Sequence, residues 1–320
     1  MRIASDTPRR ALRPIAALAL AMTLIAPDAF AITVRDAAGR DVAVNDTSRI
    51  VSVGGAVTEI LYALGLADRV VAVDTTSLYP ARALKEKPNV GYMRALSAEG
   101  VLGLNPSLVL AIEGAGPKET VSVLEQATVP LVRVPDHYTA AGILEKVRLI
   151  ANVAGVRDHG ECLAGQVAAD LDALEKLRAK ITQPKKVLFV LSFLNGKPMV
   201  AGRNTAADGI IRLAGGVNAM DSYEGYKPIS DEAVITAAPD TVLAMQRPQD
   251  NLDAATVFAN AAFSTTPAAT LKSFIAMDGL YLLGFGPRTA RAARDLAAAL
   301  YPALGHDALP SERMQRSGCD

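Results

Sequence analysis

Apolar and polar positions along the chain fall into short runs that alternate in kind. Residues 50–53, 70–73, 108–111 and 130–134 are almost wholly apolar, which is how strands read when a parallel sheet buries both their faces. Between them lie segments with helical spacing. Residues 58–65 place Ile60, Leu61 and Leu64 on one face. A helix follows Ser97, an N-cap with Glu99 in the first turn, and others cover about 118–126 and 139–153. Residues 32–44 alternate apolar and polar about Gly39, the pattern of a hairpin. Strands and helices taking turns at this spacing predict a parallel sheet covered on both faces.

A longer pattern then interrupts the rhythm. From about 158 to 181, Leu163, Val167, Leu171, Leu174, Leu177 and Ile181 recur at steps of three or four, with most charges off that stripe. Such a helix is roughly 35 Å long at 1.5 Å per residue. It reads either as a spacer between two lobes or as a long surface helix of one domain. An internal repeat favours the spacer. Residues 96–111 and the segment beginning at Ile229 align without gaps. Ser97 pairs with Ser230, Glu99 with Glu232, Val101 with Val234, Pro106 with Pro239, and 109–111 with 242–244. Residues 187–191 and 208–216 echo 50–53 and 58–65 in the same way. The expected fold class is α/β: two similar lobes with mostly parallel sheets, joined by one long spanning helix, with a ligand groove between them. The expected boundaries are 32–156 for the first lobe, 157–182 for the helix, 183–304 for the second lobe and 305–320 for a tail.

The N-terminus changes the setting. Arg2, Arg9, Arg10 and Arg13 precede an apolar run at 15–26, followed by Ala29-Phe30-Ala31. A charged start, a short apolar run and an A-x-A site predict a secretory signal over 1–31, removed near Ala31. The expected compartment is the periplasm. Arg9-Arg10 leaves the export route open between the general and twin-arginine pathways. No later stretch reaches membrane-spanning length. The net charge of zero over 320 residues gives no basic field for nucleic acid. Two cysteines, Cys162 and Cys319, and three histidines lack the spacing of a zinc site or redox pair. Whether the cysteines pair is left open.

Strand ends of an open α/β sheet are where ligands bind. In the first lobe these are Gly54-Gly55-Ala56, the loop Asp74-Thr75-Thr76-Ser77-Leu78-Tyr79-Pro80, Glu113 to Gly116, and His137-Tyr138. In the second they are Ser192 to Leu194, Tyr223 to Lys227, Met245-Gln246-Arg247, and Phe285-Gly286-Pro287-Arg288. Aromatic, apolar and cationic residues together suit an apolar ligand carrying negative charge. No G-x-S-x-G and no nucleophile with a base beside it appear, so the chain reads as a binder and not an enzyme.

From about Ser48 to Tyr301 the chain resembles the helical-backbone class of periplasmic substrate-binding proteins that feed ABC importers. Within that class it is similar to the heme-binding proteins of Gram-negative heme uptake. The residues that carry the likeness are RIVSVGGAVTEILYALG, VVAVDTTSLYP, the S-x-E helix starts with NPSLVLA and APDTVLAM, GYKPIS, and the spanning helix. The resemblance implies that heme is the transported ligand and that Tyr79 matches the tyrosine that binds its iron. A phenol has a pKa near 10 and must lose its proton to ligate. The resulting hard oxygen anion suits ferric iron. A cation beside it helps, and Arg82 is the nearest in sequence. Lys227 and Arg247 are candidates for the propionates or the far face, with Tyr226 beside them, and His137 is a candidate for a second heme. Glu99 and Glu232 are implied to dock on the permease dimer that works with a cytoplasmic ATPase. Each also has an ordinary role, an acid favoured at a helix start. An outer-membrane heme receptor would act upstream. A siderophore or cobalamin carrier of the same fold, or an extracytoplasmic enzyme, are the competing readings.

Overall fold

Two short strands, β1 (Ile32–Arg35) and β2 (Asp41–Val44), pair antiparallel around a turn in which Gly39 has φ of +74°. The alternating pattern predicted this hairpin. The computed structural model describes residues 32–246, 252–304 and 319. The expected signal segment 1–31, Arg247, His306 and the tail apart from Cys319 lie outside the described residues.

The first lobe runs β3 (Ile50–Val53), α1 (Gly55–Ala63), β4 (Val70–Val73), α2 (Arg82–Glu86), α3 (Ala98–Leu102), β5 (Leu108–Ile112), α4 (Lys118–Gln126) and β6 (Leu131–Val134). Its sheet is parallel throughout, in the order β4-β3-β5-β6. The central strands β3 and β5 are buried along their whole length, which is why no polar alternation marks them in the sequence. Ser97 caps α3 by accepting from the Gly100 N–H. Thr139 does the same for α5 (Ala140–Val153), accepting from Gly142.

Helix α6 (Arg157–Arg178) has 22 residues and so spans about 33 Å. It stops three residues short of the expected end, ahead of Gln183-Pro184; proline disfavours helix in the residue before it. Its buried stripe is Leu163, Ala164, Val167, Leu171 and Leu174. Gly160 lets α6 lie directly on α5, since a Cβ there would collide with Ala151. Cys162 of α6 is disulfide-bonded to Cys319, with Cα atoms 5.7 Å apart.

The second lobe runs β7 (Lys186–Leu194), β8 (Lys197–Ala201), α7 (Ala206–Leu213), β9 (Val217–Asn218), β10 (Tyr226–Pro228), α8 (Asp231–Ala237), β11 (Thr241–Gln246), the short helices α9 (Ala254–Ala259), α10 (Ala261–Ser264) and α11 (Pro267–Thr270), β12 (Phe274–Asp278), α12 (Gly279–Leu283) and α13 (Thr289–Leu300). The repeat is visible in the topology. Strands β7, β11 and β12 stand as β3, β5 and β6 do, and the two-residue β9 after α7 pairs parallel with β7 as β4 after α1 pairs with β3. The second sheet is mixed, however, in the order β10-β8-β7-β11-β12. Asn195 and Gly196 both sit at positive φ between β7 and β8, a two-residue turn that sends the chain straight back as a hairpin. The hairpin takes the edge that a longer β9 would have filled, and β10 adds to it antiparallel.

One apolar cluster continues from β1 and β2 through α1, α5 and α6 to Phe189, Leu243 and α13. The lobes therefore share a core along the spanning helix. Smaller clusters fill the outer face of each sheet.

Candidate functional site

The loop after β4 is built around one carboxylate. Asp74 is fully buried. Its Oδ1 accepts from the Gly54 N–H (2.8 Å) and the Ser77 hydroxyl (2.9 Å), and its Oδ2 accepts from the Thr76 N–H (3.0 Å) and hydroxyl (2.7 Å). The Thr76 hydroxyl in turn accepts from the Gly55 N–H at 2.9 Å. Ser77, Thr58 and Ser52 continue the chain of hydroxyls into the sheet, each link 2.7 Å. Gly55 has no room for a side chain, because a Cβ would strike the Thr76 carbonyl oxygen and lie 2.5 Å from Leu280 of the second lobe. The side chains of Asp74, Thr76 and Ser77 thus serve to fix the backbone, and Leu78 and Tyr79 are left to project. Tyr79 is 39% exposed, and its hydroxyl has no hydrogen-bond partner among the described residues.

The cation against Tyr79 is Arg288, not Arg82. The Arg288 guanidinium carbon lies 3.5 Å from the centre of the Tyr79 ring, within the range of a cation–π contact. It arrives from the second lobe, just ahead of α13, and is held by Glu59 of α1. Arg82 instead stands over Tyr62, 5.2 Å from that ring. Burial pushes the Tyr62 phenol above its ordinary range; the charge of Glu86 adds to this and Arg82 opposes it.

A second cluster lies where the lobes meet. The Tyr138 ring meets the edge of Phe285 at 5.2 Å, and Gly209 of α7 leaves the space for both. Lys146 of α5, with no exposed side-chain surface, reaches Asp136 at 2.6 Å and the Phe285 carbonyl at 3.4 Å. Burial, then the charge and hydrogen bond of Asp136 and the charge of Tyr226, push the Tyr138 phenol well above its ordinary range, against Arg94. Burial likewise pushes Tyr226 up, while the Ala207 backbone, Thr205 and Arg94 pull it back. Both phenols therefore stay protonated at pH 7. Arg94 also donates to the Tyr92 hydroxyl at 2.7 Å.

The remaining candidates are scattered. His137 is exposed and pairs with Glu145 of α5 at 3.0 Å. Lys227 is exposed on the edge strand β10. No hydrogen bond or ion pair links either to Tyr79 among the described residues. Glu99 and Glu232 sit in the first turns of α3 and α8, exposed on corresponding parts of the two lobes. The Glu232 carboxyl is held below its ordinary value by its own backbone N–H, then by Ser230 and Lys197. Two contributors to the site, Arg94 and Lys146, had no motif to announce them, and Glu59 lay inside the RIVSVGGAVTEILYALG stretch without a role read for it. Arg288 lay in a strand-end segment that pointed to the groove, but nothing in the spacing tied it to Tyr79. No group of three metal-ligating side chains exists among the described residues.

Solved structures share this architecture. The periplasmic heme-binding protein RhuT of Roseiflexus sp. RS-1 is 42% identical, with a TM-score of 0.76 over 81% of this chain and all of that one. The periplasmic heme-binding protein BhuT, solved with two hemes, is 39% identical with a TM-score of 0.75 over 80% of this chain and 99% of its own. A vitamin B12-binding protein of Vibrio campbellii is 30% identical over 63% of this chain and 72% of its own. The family model described as periplasmic binding protein matches residues 50–280, and the chain belongs to that family.

Proposed function

We propose that this chain captures ferric heme in the groove between its lobes, with Tyr79 as the protein ligand to iron, and hands it to an ABC permease dimer of the inner membrane. The observation that carries this reading is Tyr79 itself: a projecting phenol with no hydrogen-bond partner among the described residues, on a loop that Asp74, Thr76 and Ser77 lock from below. A phenolate oxygen suits ferric iron, and one such ligand needs no cluster of acids or histidines around it. The rings of Tyr138 and Phe285 offer apolar surface to a porphyrin. Arg94, Lys227 and Arg247 are the cations for the propionates, and His137 is the candidate for a second heme. Likeness to heme-binding proteins at 39–42% identity supports the choice of ligand.

The signal segment places the mature protein in the periplasm after removal near Ala31. Glu99 and Glu232 supply one exposed acid per lobe, which suits a two-fold partner whose cytoplasmic ATPase drives import. An outer-membrane heme receptor acts upstream, and the protein itself performs no catalysis. Titration with hemin, followed to saturation by absorbance, tests the assignment. The expected result is a Soret band of ferric tyrosinate type that Tyr79→Ala abolishes or sharply alters. An unchanged spectrum in that variant sinks Tyr79 as ligand. The vitamin B12-binding relatives favour a second reading, a cobalamin carrier, which binding of cobalamin without heme would establish.

A further inference from the structure

We propose that Arg288 is a positioning residue for Tyr79, supplied across the groove by the second lobe, so that ligation by the tyrosine depends on the two lobes standing together. This rests on Tyr79 being the iron ligand.

Arg288 is fixed by the lobe opposite its own. Its guanidinium Nη2 donates to Glu59 Oε2 at 3.0 Å, and its backbone N–H donates to Glu59 Oε1 at 3.1 Å. One buried carboxylate of α1 therefore holds both the side chain and the main chain of the same residue. The approach is close: a Cβ on Gly286 would come within 3.1 Å of the Glu59 carboxyl carbon. Phe285 takes a positive φ of 50°, uncommon for an aromatic residue, and turns its carbonyl to Lys146 and its ring to Tyr138. Residues 285–288 thus lean on three first-lobe groups, and the last of them presents its guanidinium to the Tyr79 ring.

The contact is directed at that ring and not at full hydrogen bonding. The Nε of Arg288 is buried and has no partner among the described residues. The guanidinium also lies 5.3 Å from Tyr281, whose hydroxyl is tied to Asp295 at 2.7 Å. Arg288 stacks on the face of the Tyr79 ring, so it sets the ring plane and leaves the oxygen free for iron. A cation is drawn more strongly to the face of an electron-rich, iron-bound phenolate than to that of a phenol. The stacking therefore adds to ligation, and a partner that parts the lobes withdraws it.

The test uses the full mature chain with Arg288→Gln and with the doubly neutral Glu59→Gln/Arg288→Gln, which leaves no buried charge unpaired. Each is titrated with ferric heme and with metal-free protoporphyrin IX. Both variants are expected to lose about 2- to 30-fold in heme affinity and to shift the tyrosinate-to-iron charge-transfer band. Protoporphyrin affinity should stay within about twofold, because that ligand has no iron for Tyr79. Arg288→Lys, which keeps a charge over the ring, should move the band back towards that of the unaltered protein. Equal losses for both ligands would assign Arg288 to the fold alone, and an unchanged band and affinity in the double variant would refute its role. Tyr79→Phe separates this from failure of the ligand assignment. It should remove the band and bring heme affinity down to that of protoporphyrin; if it does neither, Tyr79 is not the ligand.

Discussion

Replacing Asp74 by asparagine isolates what the loop carboxylate does, because the shape is kept and one acceptor becomes a donor. Each oxygen of Asp74 accepts one backbone N–H and one hydroxyl. Whichever way the amide turns, its NH2 faces one of each. The hydroxyl can rotate, but the N–H of Gly54 or Thr76 cannot, and a buried N–H left without an acceptor costs about 1–3 kcal/mol. The bonds that survive lose charge assistance, roughly another 1 kcal/mol together. The expected cost is about 2–4 kcal/mol. At the roughly 2 °C per kcal/mol of a chain this long, Tm falls by about 4–8 °C. Thermal unfolding by circular dichroism reads this directly. Thr75→Ala is the matched control, since Thr75 is exposed and its side chain has no hydrogen bond among the described residues; it should change stability by no more than about 0.5 kcal/mol. Heme affinity should fall in the Asp74 variant and hold in the control. If both variants melt within about 1 °C of the unaltered protein, Asp74 is not the organiser of the Tyr79 loop.

Other consequences follow from separate parts of the molecule. Burial alone would raise the Asp36 carboxyl, but Arg40, through its side chain and backbone N–H, and the Arg133 N–H outweigh it and hold Asp36 below its ordinary 3.8. A depressed folded-state value means stability that is present above the unfolded value and lost as pH falls through the folded one. Urea unfolding of Asp36→Asn should therefore show about 1–3 kcal/mol less stability at pH 7 and a shallower acid limb below about pH 4, whereas parallel limbs would contradict the assignment. Cys162 and Cys319 close a sequence separation of 157, so Cys162→Ser should cost up to about 5 kcal/mol; equal midpoints with and without reductant would refute this. Any side chain at Gly209 meets the Tyr138 carbonyl oxygen at 2.5 Å and the Phe285 ring at 2.8 Å, so Gly209→Ala should destabilise by about 1–3 kcal/mol and weaken heme binding without touching Tyr79, which a hemin titration would show. Glu99→Lys with Glu232→Lys should leave that titration unchanged and abolish uptake in a reconstituted transporter; persistent uptake would reduce both acids to their part in starting α3 and α8.

The scaffold was legible where local chemistry decides it. Buried strands β3 and β5, the cap Ser97 and the stripe of α6 all follow from residues adjacent in sequence. So did the doubling of the lobes, because the unit of α3 and β5 is spelled again in α8 and β11. Mostly parallel sheets were expected, and the antiparallel edge of the second one also has a local sign: Asn195-Gly196 between two apolar runs is a hairpin turn. The groove was less legible because its contacts join residues far apart. Glu59 and Arg288 are 229 positions apart, and Lys146 and Phe285 are 139 apart. Proximity in sequence nominated Arg82 for the cation beside Tyr79, but α2 turns that arginine back over Tyr62. The repeat adds a further physical limit. Two copies of one fold make the frame nearly symmetric, yet the proposed ligation through Tyr79 needs unlike walls. The first lobe supplies the phenol and the second supplies the cation, so the pairing exists only once the spanning helix and shared core have set the lobes face to face.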